Sequence, residues 1–339
     1  MGTPLYRQES AFLSMGFPLS RPTISNMLMS GSALLLPFYE YLKHLLIVNK
    51  KKVLHADETT LKVINVGNKN KKQKCYIQAY TTSANDLPIY IYEYKYSREG
   101  KWPREFLKDF KGYLVADDYA GYNHIPNVIL QKCMAHARRR FFDIYKANKD
   151  PKIELIINMF DDIYKLERIY KEKNLTSDEI YEHRNGEVHM ALVNKLFDHL
   201  DSLNYSPTSI TGKAVLYSLK NKQELLTYLK DGNIPIDNNL AERGIKPFVI
   251  NRKNFLFSNT EKGADSSSIY MSIVQTAKTN GLDPKKYMEH LFTKLHELNI
   301  IYLSLDKEKE KTKAFNLMKD LLPWSDTIKS MFKMKEVSR

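Results

Sequence analysis

The sequence predicts an α/β fold: a mixed sheet flanked by helices, with a helical insertion and helical N- and C-terminal appendages. Three observations carry this. Residues 53–64, 75–81 and 89–94 are β-branched and aromatic runs divided by Gly67-Asn-Lys-Asn and Ser83-Ala-Asn-Asp, the pattern of three antiparallel strands. A helix, a strand, a second strand and a second helix follow, an order typical of layered α/β domains. From Ile153 to about Leu229 apolar residues recur at intervals of three and four, so that stretch is helical.

Taken in order, residues 3–48 are helical in two pieces. The first, residues 5–15, stops at Gly16-Phe-Pro, and Ser20 can cap the second with Pro22 in its first turn. Two short helices across a turn read either as a helix-turn-helix that grips DNA or as a packing subdomain, since they carry no basic recognition face. After the three strands come a helix near 104–110, a strand over 113–116 that ends at Asp117, a strand over 128–132 and a helix over 135–146. If the fourth strand pairs beside the first, Asp57 and Asp117 fall on adjacent strands. Beyond the helix begun at Ile153, further helices fit 188–203 and 215–229, then 237–244, 264–280 and 285–298, the last two divided by Gly281-Leu-Asp-Pro. Residues 306–313, charged in both signs, read as a solvated connection. The domain boundaries expected are 1–48 (helical), 49–149 (first part of the α/β domain), 150–232 (insertion), 233–282 (second part) and 283–339 (helical extension).

With 339 residues and 43% hydrophobic content the chain can bury a full core. A formal charge of +13 implies a polyanionic partner, because Lys and Arg beside phosphates release condensed counterions. The charge is uneven. Residues 43–74 carry nine lysines against Asp57 and Glu58, whereas 150–202 carry twelve acids against seven bases. Cys75 and Cys133 are too few for a disulfide framework, which fits a reducing cytoplasm. The apolar run 33–48 is interrupted by Glu40, Lys43 and His44, too short and too charged to span a bilayer, and no signal-peptide pattern opens the chain. No membrane partner is expected.

Three acids stand where strands or helices end: Asp57, Asp117 and Glu242. Carboxylates brought to one point can hold a pair of hard divalent cations, which prefer oxygen ligands and serve phosphoryl chemistry. In a strand, side chains alternate, so Asp57 and Glu58 face opposite sides, as do Asp117 and Asp118; periodicity does not choose within either pair. Capping a turn is the ordinary alternative for an acid in such a place. Glu242 has a sharper rival, because Asn239 three residues earlier completes a capping box. Arg243, Lys246, Arg252 and Lys253 follow, a basic surround suited to phosphates. Cys133-Met-Ala-His136 has the spacing of half a zinc site, but no second pair accompanies it. His136 with Arg138, Arg139 and Arg140, opening a helix after a strand, favours phosphate contact over a merely solvated face.

As a set, His-Ala-Asp57-Glu-Thr, Ala-Asp117-Asp-Tyr-Ala-Gly-Tyr, Cys133-Met-Ala-His-Ala-Arg-Arg-Arg-Phe-Phe, Asp237-Asn-Asn-Leu-Ala-Glu-Arg, Arg252-Lys-Asn-Phe-Leu-Phe and Thr276-Ala-Lys-Thr-Asn-Gly-Leu-Asp-Pro resemble the insertion-sequence-66 family of bacterial DDE transposases, in order from about Gly2 to Leu298. The resemblance implies a ribonuclease-H-like catalytic domain interrupted by a helical insertion. It selects Asp57 over Glu58 and Asp117 over Asp118, and makes Glu242 the third acid. Family members usually carry a coiled coil and a Cys-rich zinc-binding segment ahead of the catalytic region; this chain is expected to start after them and to lack that means of recognising transposon ends. The family's usual Trp of Ser-Asn-Trp is Met27 here, which bears on packing of the N-terminal helices.

What the resemblance implies is metal-dependent DNA cleavage and strand transfer with two Mg²⁺, for which Mn²⁺ can substitute. Asp57 would bridge both ions, with Asp117 and Glu242 each holding one. Arg243, Lys253, His136 and Arg139 come next as phosphate contacts, with Asn238 positioning the turn of Glu242. The partners implied are transposon ends and target DNA, a homodimer or larger assembly on paired ends, and helper proteins, in the bacterial cytoplasm and on the nucleoid when DNA-bound. The competing readings are a non-enzymatic DNA-binding remnant and another nuclease of the same fold, such as a junction resolvase.

Overall fold

Pro22 and the hydroxyl of Ser20, which accepts the N–H of Thr23, start a 27-residue helix well beyond the short one expected. In this computed structural model, which describes residues 2–48, 52–67 and 73–334, the chain runs α1 (Leu5–Ser14), α2 (Arg21–Ile47), β1 (Val53–Asn65), β2 (Gln73–Thr82), β3 (Tyr90–Lys95), α3 (Lys101–Phe106), β4 (Gly112–Ala116), β5 (Val128–Lys132) and α4 (Met134–Asn148). Next come α5 (Pro151–Glu172), α6 (Ser177–Asn185), α7 (Glu187–Ser202), α8 (Ile210–Lys220), α9 (Lys222–Leu225), α10 (Asn239–Phe255), β6 (Ser258–Thr260), α11 (Glu261–Thr279), α12 (Pro284–Glu297), α13 (Glu308–Met318) and α14 (Asp326–Phe332). The architecture is α/β, and its six described strands form a mixed sheet. The loop read at 67–70 falls mostly outside the described residues.

Packing divides the chain into two units: Met1–Lys50, Ala56–Asp109 and Leu240–Arg339 in the first, Lys51–His55 and Phe110–Asn239 in the second. In the first, strands follow the order β3-β2-β1, with β6 also on β1. β2 and β3 are antiparallel from Tyr76↔Lys95 to Thr81↔Tyr90, and β6 is parallel to the end of β1 at Val63↔Ser258. The outer edge of β3 is covered by α11, where Ser272 and Thr276 accept the N–H groups of Tyr92 (2.8 Å) and Tyr90 (3.0 Å). Covering an edge in this way removes a template for aggregation. Leu61, Val63, Ile77, Tyr92, Phe248 and Ala264 form the core there. At Gly244 the backbone of α10 passes so close to β3 that an added Cβ would meet the Tyr90 ring at 2.3 Å, and its carbonyl accepts the Tyr92 hydroxyl.

In the second unit the first residues of β1 pair parallel with β4 (Val53↔Tyr113 to His55↔Val115), and β4 pairs parallel with β5 (Gly112↔Val128 to Ala116↔Lys132). Val53, Val115, Phe141, Ile153, Phe160, Leu196 and Tyr228 share a core that α4, α5, α7 and α8 enclose. Within β5, Gln131 is buried and bonds the carbonyl of Leu225 (3.1 Å) and the N–H of Tyr228 (2.6 Å).

Several elements differ from the sequence reading. Residues 306–313 are not a plain connection: from Glu308 they open α13, which buries Ala314, Phe315 and Met318 and stacks Phe315 on Tyr41 at 4.6 Å. The helix expected over 215–229 breaks at Asn221, whose amide turns back to the carbonyl of Tyr217 (2.8 Å). α10 continues past Pro247 to Phe255 because Ile245 and Phe248 are buried on its inner face.

Candidate active site

His55 sits opposite Val115 in the β1–β4 register, and its Nδ1–H donates to Oδ1 of Asn238 (2.9 Å), with both side chains buried. The N–H of Asn238 in turn donates to Sγ of Cys133 (3.2 Å), and the N–H of Met134 donates to the carbonyl of Ile236 (3.1 Å). Within the second unit, therefore, four stretches of chain meet: the start of β1, the C-terminal end of β4, the β5–α4 junction and the approach to α10. Two of these stretches, at β4 and β5, are strand C-termini, where ligand sites of α/β sheets form. Asp57 lies two residues beyond His55, Asp117 two beyond Val115, His136 three beyond Cys133, and Glu242 four beyond Asn238. The thiol of Cys133 is buried and serves here as a hydrogen-bond acceptor.

Asp57 is half-buried within β1, and its Oδ1 accepts the N–H of Glu58 (2.8 Å). Its neighbour Glu58 is held by Arg98, through Nε at 2.7 Å and through Nη2. Asp117 follows β4 and is half-buried, and its Oδ1 accepts the N–H of Tyr119 (3.0 Å). Its neighbour Asp118 pairs with Lys132 at 2.7 Å, and the same buried ammonium donates to Asn221 (2.5 Å). In both doublets, then, a basic side chain neutralises the second acid. Glu242 lies half-buried in the first turn of α10; that helix begins at Asn239, whose N–H donates to Asp237 (3.0 Å).

The basic residues divide by environment. Arg138 is clasped by Asp161 of α5 at 2.7 and 2.9 Å, and Arg252 donates to the hydroxyl of Thr59 (2.9 Å) and to the carbonyl of Thr60. His136 is half-buried in the first turn of α4, and Arg139 is exposed on the same helix. Arg243, Lys246 and Lys253 are exposed on α10, where their spacing of three and seven places them on one helical face. Of the nine lysines in 43–74, Lys50, Lys51, Lys69, Lys71 and Lys72 lie outside the described residues, while Lys43 is partly buried in an ion pair with Glu93. His55, Lys132 and Arg98 escaped the sequence reading, for their partners are 183, 14 and 40 residues away.

Among the described residues no helix is long and apolar enough to cross a membrane. A sequence profile of the transposase IS66 family matches residues 1–266. An uncharacterized protein of Sinorhizobium fredii is 28% identical over 312 residues, covering 87% of this chain and 57% of the relative. A second from the same organism, also uncharacterized, is 26% identical over 339 residues, 95% of this chain and 62% of the relative. The chain thus spans about 60% of the length of the curated relatives it matches.

Proposed function

Because the chain belongs to the IS66 family of transposases, we propose that it is a DDE transposase with a ribonuclease-H-like catalytic domain, cutting DNA and transferring strands through Asp57, Asp117 and Glu242. The observation that carries this reading is the tie inside the second unit. One strand register and one buried hydrogen bond bring together the chain positions beside all three acids, His55, Val115 and Asn238.

The donor set fits the metal that the family implies. Three carboxylates offer only oxygen, which suits hard divalent cations such as Mg²⁺ or Mn²⁺. Two such ions, when bound, would activate the attacking water or 3′-hydroxyl and stabilise the leaving oxygen of the phosphodiester. The chain's own part is to supply those oxygens from separate elements, so that charge gathers only where the fold is complete. Arg98 and Lys132 neutralise Glu58 and Asp118 and so keep surplus negative charge from opposing a phosphate. Arg243, Lys246 and Lys253 form a basic stripe that fits a DNA backbone, with Arg139 and His136 as further phosphate contacts. The DNA partners are transposon ends and target, acted on by two or more copies of the chain.

The test is strand transfer of pre-cut end DNA in Mg²⁺ together with a gel-shift measurement. Asp57→Asn, Asp117→Asn and Glu242→Gln should each abolish transfer and leave DNA binding largely intact, whereas Glu58→Gln and Asp118→Asn should retain it. Full activity in any of the first three removes that residue from the site.

A further inference from the structure

We propose that Arg184, on the short helix α6, is a positioning residue that fixes the loop leading to Glu242, an inference that rests on the transposase reading above. Arg184 lies on α6 and is only 3% exposed. Its Nε and Nη2 donate to the two oxygens of Glu167 on α5 (2.8 and 2.7 Å), which neutralises a charge that burial alone would make costly. Its Nη1 donates to three backbone carbonyls, those of Tyr228 (2.9 Å), Asp231 (3.0 Å) and Ile234 (3.0 Å). The next residue, Asn185, adds a bond to the carbonyl of Leu229 (3.0 Å).

The Tyr228 carbonyl precedes, and those of Asp231 and Ile234 belong to, an irregular stretch, residues 231–238, which has no helical or sheet ladder to hold it. A guanidinium is suited to the task, because it presents several donors in a rigid fork where an ammonium presents a point charge. On its other side the loop is seated on the start of α6: an added Cβ at Gly232 would come within 1.8 Å of the carbonyl oxygen of Ser177. Two residues beyond Ile234, the carbonyl of Ile236 takes the N–H of Met134, and two further on Asn238 bonds His55. Residues 228–238 are thus braced at each end, by Arg184 at the entrance and by the strand termini at the exit. Glu242 follows one helical turn later. Through Arg184, α5 and α6 therefore hold one end of the loop that leads to the third acid.

The experiment uses the full chain with Arg184→Lys, Gly232→Ala and Glu167→Gln, and with Arg168→Lys as an exposed control. Three quantities are read: the Mn²⁺ concentration giving half-maximal cleavage of end DNA, the DNA affinity, and hydrogen exchange over residues 228–245. Partners that orient metal ligands are typically worth about 10- to 100-fold in metal affinity or activity. Arg184→Lys and Gly232→Ala should thus raise the Mn²⁺ requirement about tenfold or more, with excess Mn²⁺ restoring part of the rate, while DNA affinity stays within about twofold. Exchange should quicken in 228–245 and not in α5 or α7. Should one of these variants fail to fold, Glu167→Gln, which keeps the carbonyl bonds but loses the counter-charge, carries the same readout in milder form. A variant whose loop exchanges faster but whose Mn²⁺ dependence is that of the wild type overturns the proposal, as does unchanged loop exchange. A wild type that cleaves no DNA with either metal overturns the transposase reading and the positioning role with it, and the exchange data then report on the loop alone.

Discussion

Acid should weaken this protein in good part through one imidazole, that of His189. His189 is fully buried, its Nδ1 3.3 Å from the hydroxyl of Tyr170 and its Nε2 2.9 Å from the hydroxyl of Tyr228. Burial pushes its pKa down to about 4 from an ordinary 6.5; Glu167 opposes the shift and Arg184 reinforces it. Between those two values the unfolded chain binds a proton that the folded chain refuses, so stability falls as pH drops through 6.5 and stops falling near 4. A gap of about 2.5 pH units, at roughly 1.36 kcal/mol each, sets a ceiling of about 3 kcal/mol, of which about 2 kcal/mol should be lost by pH 5. The assay is urea unfolding at pH 8, 6.5 and 5 for the wild type and for His189→Gln, which has no group titrating in that window. His44 and His290, whose pKa values burial also lowers, act alike in both proteins and cancel in the difference. Equal pH slopes for the two proteins, or an NMR titration midpoint for His189 near 6.5, would refute the reasoning.

Three further outcomes are expected. In a double-mutant cycle of His55→Ala and Asn238→Ala, the coupling should be about 0.5–1.5 kcal/mol by denaturant unfolding, and a value within about 0.3 kcal/mol of zero would dismiss the bond as a stabilising link. Gly244→Ala drives a methyl into the Tyr90 ring and should cost about 1–3 kcal/mol, with a smaller residue at position 90 in the same chain restoring part of it; no loss in melting temperature would contradict the close approach. Removing Arg243, Lys246 or Lys253 one at a time should weaken DNA binding for all sequences alike and lower the salt slope by about one each, and an unchanged slope would take that residue off the DNA face.

Much of the frame was readable because strands and helices declare themselves through periodicity. The periodic runs of the sequence coincide with β1, β4 and β5 within a residue or so, and the expected neighbouring of the first and fourth strands is present as a parallel pair. Three-residue β6 is too short to show a period, and Pro247 signals a break that burial of Ile245 and Phe248 overrides. The charges of 306–313 masked the apolar Ala314, Phe315 and Met318 just beyond them. Within the acidic doublets alternation separated the two members but could not rank them; their partners Arg98 and Lys132 come from other elements. Arg184 was illegible for the same reason: an arginine on a polar helix looks solvated until carbonyls 44 to 50 residues away close around it.

The link between His55 and Asn238 also orders events in time. It joins residues 183 apart, so the opening strand must wait for a partner that a ribosome working at about 5–20 residues per second supplies roughly 10–40 s later. Chain-closure entropy rises only slowly with length, so folding of the intervening helices makes the late encounter affordable. On the transposase reading, a nascent or prematurely released polypeptide holds two of its acids early yet stays harmless to the chromosome, because competence arrives only once Glu242 has been made.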